Sequence, residues 1–99
     1  MRLSPDQTAT IRANAQHYFG EEVGVWLFGS RTDDRKRGGD IDLYIEAVGD
    51  ALQVLEHELK FYAALQCQLG VQRIDIVVRR HDQPMQIIHT EARRTGIRL

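Results

Sequence analysis

The chain has 99 residues, 42% hydrophobic and 27% charged, with a formal net charge of −1. That length holds one domain, 1–99, of ordinary globular composition. Near-neutrality disfavours a nucleic-acid binder relying on bulk positive charge, and a single cysteine, Cys67, excludes an internal disulfide and a multi-cysteine zinc site.

At the start, MRLSPDQTATIRA has no apolar signal-peptide segment, and no later apolar run is long enough to span a membrane, so a cytoplasmic location is expected. Ser4-Pro5-Asp6-Gln7 reads as a helix start, with Ser4 as N-cap, Pro5 at the first helical position and Gln7 closing a capping box. Ile11, Ala15 and Tyr18 give that helix an apolar stripe, and Gly20 ends it. Val23 to Phe28 (VGVWLF) is almost wholly apolar and stops at Gly29, as a buried central strand does. A short helical turn from Ser30 to about Lys36 and a loop over Arg37-Gly38-Gly39 follow.

Asp40 to Glu46 (DIDLYIE) alternates strictly. Ile41, Leu43 and Ile45 face one side of this second strand, and Asp40, Asp42, Tyr44 and Glu46 the other. Asp50 caps the longest helix, about 51–68, with Leu52, Leu55, Leu59 and Tyr62 as its apolar stripe and Gly70 beyond its end. Val71 to Val78 (VQRIDIVV) is a third strand with one acid, Asp75. Pro84 opens a last short helix that ends near Gly96. The order predicts an α/β (α+β) domain: a small mixed three-stranded sheet with flanking helices.

The chemistry sits in Gly29-Ser30, nine residues, then Asp40-Ile41-Asp42. Two aspartates one residue apart on a strand share a face, with Cα atoms about 6.6 Å apart. They can converge on hard divalent cations, for which carboxylate oxygens are the preferred ligands. Small residues at Gly29 and Ser30 let a backbone approach a phosphate closely. Asp75 is the third piece. A buried, unpaired carboxylate costs several kcal/mol, so it must face a cation, a partner or water. If the third strand pairs beside the second, Asp75 reaches Asp40 and Asp42. Three carboxylates holding two magnesium ions form a device for in-line phosphoryl transfer.

The GS–spacer–DID pattern with a later lone strand aspartate resembles the minimal nucleotidyltransferases of the DNA-polymerase-beta-type superfamily. The resemblance runs from Val23 to Leu99. It implies a polymerase-beta-like nucleotidyltransferase fold. It also implies nucleotide binding at Gly29 and Ser30, and catalytic magnesium ligation by Asp40, Asp42 and Asp75. The nine-residue spacer is one shorter than in many members, and Gly38-Gly39 stands where an acidic or serine-bearing stretch is common. Short free-standing members are similar to the antitoxins of two-gene systems whose toxin is a helical HEPN-type ribonuclease. That likeness implies AMP transfer from ATP to a toxin tyrosine.

Each residue also has a plainer reading. Asp40 and Asp42 could be a solvated strand face, and Asp75 could pair with Arg73 or Arg79. Arg31, Arg35, Lys36 and Arg37 form a basic cluster in which Arg31 is the best placed for a nucleotide phosphate, against a solvated loop balanced by Asp33 and Asp34. Tyr44 and Glu46 share the face of the acids and could line its groove. His57, His81 and His89 have no ligand spacing and read as surface or structural. Cys67 and Trp26 read as core. The rival function is a non-catalytic module that neutralises a partner protein by docking alone.

Overall fold

Local sequence sets the helix starts. In α1 (Pro5–Phe19), the Ser4 hydroxyl accepts from the Gln7 N–H at 3.1 Å while the Gln7 side chain accepts from the Ser4 N–H at 3.0 Å. Asp50 and Gln53 build the same reciprocal cap on α2 (Ala51–Leu69). Each cap satisfies N–H groups that have no partner within the helix. The computed structural model describes residues 3–29, 41–70 and 73–99. The expected turn and loop between Ser30 and Gly39 lie outside the described residues, as does the start of the expected third strand at Val71.

The described chain forms three helices and one mixed sheet of four strands, rather than three. The strands are β1 (Gly24–Phe28), β2 (Ile41–Ala47), β3 (Ile74–Arg80) and β4 (Ile97–Arg98), in the order β3-β2-β1-β4. β1 runs antiparallel to β2 and β4, and β2 runs parallel to β3. A parallel pair needs a long crossover, which α2 provides. β4 has only two residues, too few for a readable alternation. It forms where Trp26 meets Arg98 and Leu27 meets Ile97. Gly96 permits that approach, because a Cβ there would lie 3.0 Å from the Leu27 carbonyl oxygen of β1, besides colliding with the Ala92 carbonyl oxygen of α3.

Strict alternation in β2 separates two layers. Ile41, Leu43, Ile45 and Ala47 are buried with Ile11, Ala15 and Phe19 of α1 and Val54, Phe61 and Leu65 of α2. The opposite face carries Trp26, Tyr44 and Ala92, the last from α3 (Ile87–Thr95). The sheet thus lies between α1 and α2 on one side and α3 on the other.

Three expectations about helices and core are corrected. The stripe Leu52, Leu55, Leu59 and Tyr62 is not the buried face of α2: those side chains are exposed, and Val54, Phe61 and Leu65 pack inward instead. α2 carries two apolar stripes, and contact with α1 and the sheet uses the other one. Cys67 is exposed rather than core. α3 begins after Gln86 rather than at Pro84, because the His89 ring reaches back so that Nδ1 accepts from the Gln86 N–H at 3.1 Å.

Candidate active site

β2 and β3 pair in register from Ile41 with Ile74 to Ala47 with Arg80, and this register makes Asp42 the direct partner of Asp75. Neighbouring strands lie about 4.8 Å apart, and paired residues project to the same face. The two carboxylates therefore leave the sheet side by side, on the α3 side and away from α1 and α2. The Ile41 N–H donates to the Arg73 carbonyl at 3.1 Å, extending the ladder at that end.

Gly29 closes the third side. It follows Phe28, the antiparallel partner of Asp42. Its φ is +76°, a conformation that favours glycine, and a Cβ there would run into Oδ2 of Asp42. Backbone thus presses directly on a carboxylate, leaving space that any side chain would fill.

Asp75 is half-exposed, and among the described residues Arg73 pairs with it, with Nε 3.7 Å from Asp75 Oδ2. This is the plainer reading of Asp75 in part. Both groups are largely solvated, so the pair is weak and displaceable. Arg79 does not join them. It turns to Glu46, donating from Nη1 to Oε2 at 3.1 Å.

Glu46 Oε2 also accepts from the Tyr44 hydroxyl at 2.7 Å and lies 3.7 Å from Arg93 Nη1. Tyr44 is fully buried, tilted against Trp26 and stacked on His89. Burial pushes its phenol up to about 12, reinforced by the hydrogen bond to Glu46 and by that carboxylate's charge. Tyr44 and Glu46 therefore do not line an open groove. They tie the sheet to α3 through Arg93. His89 is structural, as expected, and Trp26 is core, with the guanidiniums of Arg93 and Arg98 5.2 and 5.0 Å from its ring centroid.

Asp42, Asp75 and Gly29 are thus brought together, whereas Asp40, Ser30 and Arg31 lie outside the described residues. No group of three ligating side chains occurs among the described residues. A hard divalent cation fits the pair: the donors are oxygens only, both lie on one face, and Gly29 puts no side chain against Asp42 Oδ2. A cavity of about 290 Å³ lies elsewhere, between Arg12 and Gln16 of α1 and the segment Arg98–Leu99, and includes neither carboxylate. Sequence reasoning missed Phe28 as a neighbour of the site, although its place directly before Gly29 signalled it, whereas Arg73 is the partner that the plainer reading of Asp75 named. No described helix is long and apolar enough to cross a membrane. The chain matches no protein-family model and no curated protein.

Proposed function

We propose that this chain is a magnesium-dependent nucleotidyltransferase of the minimal type, with a polymerase-beta-like fold. One observation carries the reading: Asp42 and Asp75, far apart in sequence, are direct partners on adjacent parallel strands, with Gly29 backbone against Asp42. Asp40, two residues before Asp42 in sequence, completes the carboxylate set in this reading, and Gly29, Ser30 and Arg31 bind the triphosphate of ATP.

Two magnesium ions held by Asp40, Asp42 and Asp75 would supply charge neutralisation for the triphosphate. Asp40 and Asp42 bind from the nucleotide side. Asp75 stands on the acceptor side, half-exposed, where its carboxylate takes the proton of the incoming hydroxyl. The acceptor oxygen attacks the α-phosphorus, the bond to the bridging oxygen breaks, and pyrophosphate leaves. Positioning and electrostatics do the catalytic work, with no protein nucleophile.

In this reading a partner protein completes the acceptor site. The partner proposed is a helical HEPN-type toxin from a neighbouring gene, with a tyrosine hydroxyl as acceptor and antitoxin action as the outcome in the cytoplasm. The test mixes the purified chain, the neighbour's product, magnesium and ATP labelled on the α-phosphate. Label on the partner, lost in Asp42→Asn, is the expected result. A stable complex without label would identify neutralisation by docking alone.

A further inference from the structure

α3 is held down by little. It has nine residues, too few to be stable in water without packing, and its buried side chains are His89 and Ala92 alone. One of these two anchors can change its charge. His89 Nδ1 accepts from the Gln86 N–H at 3.1 Å and so closes the first turn of the helix. The His89 ring also stacks on Tyr44 of β2, with centroids 5.6 Å apart. α1 and α2 close their first turns in the same way, with the side-chain carbonyls of Gln7 and Gln53, which accept at any pH. An imidazole accepts only while it is neutral. Its second proton goes onto the nitrogen that holds the bond, and an imidazolium donates from both nitrogens.

We propose that His89 makes α3 an acid-released helix. A proton taken from solvent onto Nδ1 turns the acceptor into a donor, sets two N–H groups against each other at Gln86, and frees the first turn of α3 from the sheet. The surrounding charges do not offset this. On β2, Tyr44 faces the ring, and its hydroxyl is bound to Glu46. Glu46 is held by Arg79 of β3 at 3.1 Å and lies 3.7 Å from Arg93 of α3, so two guanidiniums already share its one negative charge. Trp26 of β1, the other ring on this face, is flanked by Arg93 and by Arg98 of β4. No carboxylate pairs with His89 among the described residues. The stability that this cap contributes is therefore full at pH 8 and is lost as the pH falls towards 5, the interval in which an imidazole takes up its proton. The device does not rest on the reaction assigned to Asp42 and Asp75.

Trp26 is the single tryptophan of the chain and shares a buried cluster with Ala92, so its fluorescence reports whether α3 is seated. The test titrates the full chain from pH 8 to pH 5. It follows the Trp26 emission maximum, the His89 ring nitrogens by NMR and the sheet by circular dichroism. At pH 8, Nδ1 should be bare and Nε2 should carry the proton. As the pH falls, the Trp26 maximum should move to longer wavelength, with the same midpoint as His89 protonation and with the sheet signal kept. His89→Gln restores a cap of the Gln7 type, and the shift should be lost. His17, His57 and His81 are common to both chains, so the difference belongs to His89. An unmoved Trp26 in the wild type, a proton on Nδ1 at pH 8, a shift that persists in His89→Gln, or a shift that comes only with loss of the sheet would each overturn the proposal.

Discussion

Asp42 and Asp75 are partners in a parallel ladder, so two like charges stand about one strand spacing apart on the same face. Such an arrangement concentrates negative charge that a divalent cation bound there would neutralise. Asp42→Asn and Asp75→Asn each remove one of the two charges. Magnesium should raise the wild-type melting point and leave both variants unmoved. Nucleotide transfer, measured in parallel, should fall by on the order of 100-fold or more.

Gly29→Ala tests the third wall. An L-residue at φ +76° costs about 1–2 kcal/mol, and the new methyl displaces Asp42 as well. Thermal melts should show a destabilisation of that order. Magnesium binding, followed by calorimetry, should weaken by more than the same change at the exposed Gly20 produces. Gly20 has an unhindered Cβ position and a similarly positive φ, so it controls for backbone strain alone.

Tyr44 makes the fold sensitive to alkali. Its phenol titrates at about 12 when folded and near 10 when unfolded, so its contribution is full below pH 10 and is lost as pH rises towards 12. Tyr44→Phe should lose about 1.5–3 kcal/mol at neutral pH, the worth of a hydrogen bond to a charged group. It should also flatten the fall in stability between pH 10 and 12. Denaturant melts over that interval measure both.

The two stripes of α2 make a matched contrast. Phe61 is fully buried between the sheet and α1, and Phe61→Leu should destabilise by about 1 kcal/mol or more, while Phe61→Ala should cost about 3–5 kcal/mol. Leu59→Gln, two positions away and 61% exposed, should stay within about 0.5 kcal/mol.

What the sequence made legible was local. The capping boxes at Ser4 and Asp50 are complete within four residues and need no tertiary contact. The strand DIDLYIE declares its two faces by alternation, and Asp75 is conspicuous as the one acid in an apolar strand. What stayed hidden depends on packing between distant segments. Either apolar stripe of α2 satisfies helical periodicity, and only the position of α1 decides between them. β4 exists because Gly96 can approach the Leu27 region, not because Ile97-Arg98 forms a pattern. The Tyr44–Glu46–Arg79–Arg93 network joins three elements with no short-range mark, and Pro84 suggests a helix start that His89 moves to Gln86.

The parallel β2–β3 register has a kinetic consequence. Its partners meet only after the intervening helix has docked, a loop closure of the kind that slows folding. No local fragment holds both carboxylates. In the proposed reading, a cation held by Asp42 and Asp75 would be coupled to cooperative closure of the whole crossover, and it should slow amide hydrogen exchange along β2, α2 and β3 together while leaving the first helix turn at Ser4 exchanging as before.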